Sequence, residues 1–147
     1  MLRTLILALP LLAAPALQAE TVKVATGKSV AEAADALAAA IEGAGATLFA
    51  RVDHGAGAQS VGQDIGASQL LIFGNPKVGT PAMIEARETG LALPLKVLVY
   101  EDRAGGTWLA YEAPADRLAD LAGGALPDDV SAPMAGALKN LTAKAAE

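Results

Sequence analysis

The sequence predicts an α+β fold: a mostly antiparallel five-stranded sheet with helices packed on one face, in the order β-α-β-β-α-β-β-α. Three observations carry that expectation. Leu70 to Phe73 is a short unbroken apolar run, the pattern of a strand buried on both faces. Ser29 with Glu32 three residues later makes a capping box ahead of a helical apolar spacing. Leu95 to Tyr100 and Thr107 to Glu112 are strand-like runs whose connection, Glu101 to Gly106, carries the glycines of a short hairpin.

Residues 1–19 read as a secretory signal and not as part of the fold. Arg3 is the only charge before Glu20, Leu5 to Ala14 is apolar, and Ala16 and Ala19 are small residues suited to cleavage, with Ala19 preferred. A spanning helix needs about 20 apolar residues, and this block is shorter and interrupted by Pro10 and Pro15. The expected mature chain, 20–147, is the size of a single domain and is expected in the periplasm or outside the cell.

Val22 and Val24 alternate with polar neighbours over Thr21 to Ala25, as in a half-buried strand. The helix from Ser29 to Gly43 follows, with Val30, Ala34, Leu37 and Ile41 on one face and abundant alanine elsewhere. Thr47 to Asp53 returns as a strand, Leu48, Ala50 and Val52 facing one way and Phe49 and Arg51 the other. Gly55 to Ala67 has little periodicity and reads as loop, with at most a helical turn near Ser60 to Asp64.

Beyond the central strand, Gly74, Asn75, Pro76 and Gly79 supply turn chemistry. Thr80 followed by Pro81 then reads as an N-cap with proline at the first helical position, which predicts a helix from Pro81 to about Thr89 that stops at Gly90. Pro94 marks the entry to the next strand. The C-terminal part is helical. Ala115 to Ala122 makes a short helix broken at Gly123-Gly124, and a last helix carries Met134, Ala137, Leu138, Leu141 and Ala145, with Pro133 expected in its first turn.

Composition excludes several function classes. The chain has no cysteine, so it has no disulfide framework, no thiolate metal site and no cysteine nucleophile. Its formal net charge of -5 argues against nucleic acid, and no basic cluster offsets it. Acidity gives no attraction to an anionic membrane surface either. There is no glycine-rich strand-to-helix fingerprint for a dinucleotide and no G-x-S-x-G elbow. No cofactor or metal is expected.

The chain resembles the domain of unknown function 302 family. The residues that carry the likeness are Asp53-His54 at a strand end, Leu70 to Pro76 reading LLIFGNP, Gly79-Thr80-Pro81 with Met83, Leu93 to Tyr100 reading LPLKVLVY, and Trp108 with Tyr111. The overlap with the family covers about 110 residues, and IFGNPKVGTP is its most specific part. The resemblance implies a TATA-binding-protein-like arrangement, a homodimer and no established chemistry. Ala92 stands where the resemblance leads one to expect aspartate.

Candidate site residues are Asn75, Lys77 and Thr80 in the GNPKVGT loop and, second to them, Asp53 and His54. A rigid loop before a helix start aims N–H groups at an anion, and Lys77 adds charge attraction. Against this, Gly74 and Gly79 have phosphate-loop spacing without the lysine that should follow, and Asn75 is also the ordinary residue for a turn that bonds its own backbone. His54 is the single histidine. With Asp53, and Asp64 farther on, it has the residue types of a general base with an orienting carboxylate or of a weak metal site, but tying down a strand end is the commoner role. Glu85, Arg87 and Glu88 read as the wet face of a helix. The expectation is a non-catalytic exported binding or interaction domain for a small anionic ligand, the alternative being a small hydrolase or isomerase with His54 as base.

Overall fold

The structure is a computed structural model that describes residues 20–147. The signal expected at residues 1–19 lies outside the described residues. The strands are β1 (Thr21–Thr26), β2 (Thr47–Asp53), β3 (Ser68–Gly74), β4 (Leu95–Glu101) and β5 (Thr107–Glu112). The helices are α1 (Val30–Gly43), α2 (His54–Ser60), α3 (Pro76–Glu85), α4 (Pro114–Ala122) and α5 (Asp128–Ala146), with a 3-10 turn at Arg87–Leu91.

The sheet has five strands in the order β1-β5-β4-β3-β2, and each paired neighbour is antiparallel. Leu71, Phe73, Val97, Val99, Leu109 and Tyr111 line the face that meets Val30, Ala33, Ala34, Leu37 and Ile41 of α1 and Leu138, Leu141 and Ala145 of α5. The alanines of α1 let the helix approach the sheet closely, and the expected capping box is present, with Ser29 Oγ accepting the Glu32 N–H at 3.3 Å and Glu32 Oε2 accepting the Ser29 N–H at 2.9 Å. A second, smaller cluster of Ala82, Leu118, Val130 and Met134 joins α3, α4 and α5. The predicted antiparallel α+β architecture is the one observed.

Four local expectations are corrected. Glycine-rich residues 54–60 form α2, because Asp53 caps it by accepting the Ala56 N–H at 2.8 Å and Gly55 packs against the start of β3. The helix expected from Pro81 begins at Pro76 with Asn75 as its N-cap, so Pro81 lies inside α3 and Thr80 is not a cap. Pro133 is the sixth residue of α5 and not in its first turn.

The fourth correction concerns β2. Its register against β3 shifts between Leu48 and Ala50, so Phe49 is an extra residue in a β-bulge. The bulge interrupts the alternation: Leu48 opposes Phe73 on the helix side, whereas Ala50 and Val52 oppose Ile72 and Leu70 on the other face. Arg51, opposite Leu71, turns toward the helices, where Nη1 donates to Asp35 of α1 and Nε donates to Gln69 Oε1 at 2.7 Å.

Candidate functional site

The junction between β3 and α3 is held by Asn75. Its Oδ1 accepts the Lys77 N–H at 3.0 Å, and its Nδ2 donates to the Gly45 carbonyl at 3.2 Å. One side chain thus starts α3 and fastens it to the turn between α1 and β2. The next donors are already engaged, since the Val78 and Gly79 N–H groups reach the Asn75 carbonyl at 2.9 and 3.0 Å. Pro76 has no N–H to offer. What this segment presents to a ligand is therefore shape more than free backbone donors.

The shape is a cavity of about 300 Å³ between the bulge of β2, α3 and the approach to β4. Phe49, Asn75, Thr80, Met83, Leu93 and Met134 are among its lining residues, and the surface is mainly apolar. Gly74 permits this arrangement: a Cβ there would stand 3.3 Å from the Phe49 ring and 3.5 Å from Pro94. Phe49 is 57% exposed, and Met83, Ile84 and Leu91 are exposed nearby in sequence along α3 and the turn after it.

Of the residues singled out from sequence, Asn75 and Thr80 line this cavity. Lys77 is exposed on the first turn of α3, between Pro76 and Val78, which do line it. Asp53 and His54 lie elsewhere. Asp53 pairs with Gln69 at one end of the β2–β3 ladder, whereas Gly74 pairs with Thr47 at the other. At the rise of an extended strand the two ends are about 17 Å apart. The structure thus brings together two of the five candidates and separates the Asp53-His54 pair from them.

Asp53 is occupied as the cap of α2, and its Oδ2 also receives a long bond of 3.5 Å from Gln69 Nε2. His54 is the exposed first residue of α2. Among the described residues no group of three or more His, Asp or Glu side chains is placed to hold a metal ion. Neither of the two carboxyls held below the usual carboxylate range lines the cavity. Glu32 is lowered by the Ser29 hydroxyl and N–H, and Asp102 by the Gly106 N–H and the Trp108 indole.

Phe49, Met83, Leu93, Pro94 and Met134 were not singled out as site residues from sequence. Met83 and Leu93-Pro94 belong to the motifs shared with the family, which was a usable signal. Phe49 gives only a faint one, an aromatic side chain expected on the same face of β2 as Arg51.

Comparison with known proteins agrees with this architecture. A solved structure, the crystal structure of an uncharacterized conserved protein DUF302 from Bacillus stearothermophilus, superposes with a TM-score of 0.76 at 18% identity, covering 85% of this chain and 97% of that one. Among curated proteins, a 94-residue stretch, 64% of this chain, is 44% identical to a part of the fluoride-specific ion channel FluC 1 of Brucella suis and to a part of that of Brucella abortus. The match covers 37% and 35% of those proteins, so the chain spans little more than a third of their length. No helix among the described residues is long and apolar enough to cross a membrane. The family model described as "Domain of unknown function DUF302" matches residues 20–141, and the chain belongs to that family.

Proposed function

We propose that this chain is a non-catalytic binding domain that takes a small, largely apolar ligand in the cavity beneath the GNPKVGTP segment, with an acidic end at its Lys77 rim. The observation that supports this reading is the 300 Å³ apolar concavity, which falls at the lower end of the size range of small-molecule sites and carries few polar groups. The engaged N–H groups at the start of α3 shift the emphasis from a bare anion to an apolar body. Lys77 remains the nearby cation in sequence, and Thr80 supplies a hydroxyl. Binding ranks ahead of hydrolysis or isomerisation because catalytic sites assemble several polar groups, and among the described residues His54 makes no side-chain hydrogen bond.

The reading extends to location and assembly. Residues 1–19 support export, so a host periplasm should contain a chain beginning near Glu20, and an intact chain in the membrane pellet would count against it. The family resemblance supports a homodimer, which sedimentation at several concentrations would test.

For the ligand, an isotopically labelled sample is titrated with aromatic carboxylates and with inorganic anions. Fluoride is included because the Brucella relatives bear the name of fluoride channels. Shifts from aromatic carboxylates should centre on Phe49, Asn75 to Thr80 and Met83. Shifts confined to other regions, or none at millimolar ligand, would leave the segment as a structural corner only.

A further inference from the structure

A second cavity lies where the sheet splits. β4 and β5 pair from Glu101 with Thr107 to Leu98 with Ala110, and there the ladder stops. Both strands continue: β4 reaches back to Leu95 and β5 runs on to Glu112. Continued pairing would have set Val97 against Tyr111 and Lys96 against Glu112. Instead the strands part, and a cavity of about 310 Å³ occupies the split.

Leu70, Leu98, Tyr111, Leu118 and Leu138 give it an apolar lining. Its charged residues are Lys96, Arg117 and Glu112, two cations against one carboxylate. Arg117 is already engaged, with Nη1 donating to Asp120 Oδ2 at 3.2 Å and Nε 3.9 Å from Glu112 Oε2. Lys96 is exposed and makes no ion pair among the described residues. The parted strands also leave the backbone of Leu95 to Val97 without a β5 partner, so main-chain hydrogen-bonding groups flank an apolar space.

We propose that this split is a binding site for an aliphatic monocarboxylate. The hydrocarbon chain lies on the leucines, and the carboxylate sits at the mouth beside Lys96, supported by Arg117. The unpartnered β4 backbone supplies the remaining polar contacts. An anion answers the unpaired charge of Lys96, and the leucine walls select a flexible hydrocarbon, since burial of each methylene is favourable. This site is distinct from the one beneath GNPKVGTP, although Leu93 and Leu95 line both cavities.

The experiment is a titration of the isotopically labelled protein with octanoate below its micellar range, compared with octanol. Shifts are expected at Leu70, Lys96, Leu98, Tyr111 and Arg117, with octanol binding more weakly. Lys96→Gln should weaken octanoate about tenfold, the scale of one charge-assisted hydrogen bond. The exposed, unpaired position of Lys96 should leave the thermal midpoint near that of the parent. Ala110→Leu, which enlarges a lining side chain, should abolish binding. Octanoate shifts confined to Phe49, Asn75, Thr80 and Met83 would place the ligand in the other cavity and overturn the proposal without touching the proposed function. Equal affinity for octanol and octanoate, or unchanged affinity in Lys96→Gln, would overturn it as well.

Discussion

Trp108 donates its indole N–H to Asp102 Oδ2 at 2.8 Å and so closes the connection between β4 and β5. The other carboxylate oxygen accepts the Ala104 and Gly106 N–H groups, each at 2.9 Å. Gly105, at φ +83°, lets the chain turn back within this loop. One ionised side chain thereby binds Ala104, Gly106 and Trp108, and so orients the only tryptophan of the sequence.

These donors hold the Asp102 carboxyl below the usual carboxylate range, the Gly106 N–H contributing most and the indole next. A group lowered on folding stabilises the native state above its unfolded pKa, and that contribution disappears as pH falls through the folded value. Asp102→Asn should therefore lower the thermal midpoint at neutral pH, and its deficit relative to the parent should shrink from about pH 5 to about pH 2. Parallel pH profiles for the two proteins would show that the charge on Asp102 is not what the hairpin uses.

The two phenylalanines make opposite predictions. Phe73 is 1% exposed among α1 and the sheet, and Phe73→Ala should cost about 3 to 5 kcal/mol in denaturant unfolding, as core aromatic truncations do. Phe49 is 57% exposed on the bulge, and Phe49→Ala should cost less than about 1 kcal/mol while removing one wall of the cavity. A large stability loss from Phe49→Ala would mean that the bulge depends on its ring.

Asn75 and Thr80 are the two competing caps. Asn75→Ala removes the bond to the Lys77 N–H and the tie to Gly45, so it should cost about 1 to 2 kcal/mol. Thr80→Ala, at an exposed position inside α3, should stay within about 0.5 kcal/mol of the parent. Unfolding curves showing the reverse order would place the start of the helix at Pro81.

The succession of strands and helices along the chain could be read from sequence because it follows from strong, local signals, but the centre of the sheet could not, since β4 and not β3 holds the middle position. Leu70 to Phe73 marks a strand by its unbroken apolar run, although only Leu71 and Phe73 are buried and Leu70 and Ile72 on the other face are half-buried, and Ser29 with Glu32 completes its own reciprocal bonds within one turn. The start of α3 is not legible locally because Asn75-Pro76 and Thr80-Pro81 carry the same cap-then-proline chemistry five residues apart, and only tertiary contact chooses between them. The tie from Asn75 to Gly45, a residue 30 positions away, is that contact. The bulge at Phe49 left no mark because pairing register is a property of two strands, and its effect on Arg51 and Val52 could not be seen from β2 alone. Cavity residues were partly visible for the same reason: Asn75 and Thr80 sit in one motif, whereas Phe49 and Met134 arrive from distant segments.

α2 offers a test of why a glycine-rich segment becomes helical. Glycine inside a helix ordinarily costs about 0.5 to 1 kcal/mol relative to alanine, so Gly→Ala there should stabilise. Gly57 meets that condition, with nothing within 4 Å of where a Cβ would stand, and Gly57→Ala should raise stability by roughly that amount. Gly55 is the exception two residues away. A Cβ there would lie 2.9 Å from the Gly66 carbonyl oxygen and 3.3 Å from the Ser68 N, both backbone atoms that cannot swing aside as a side chain would. Overpacking of that kind costs about 1 to 3 kcal/mol and outweighs the helix-propensity gain. Gly55→Ala should thus lower the unfolding midpoint while Gly57→Ala raises it, and the Asp53-His54 resonances should move only in the first variant, because α2 must lift from the start of β3 to make room. Stabilisation by both substitutions would mean that α2 does not rest against β3 closely enough to fix His54 in place.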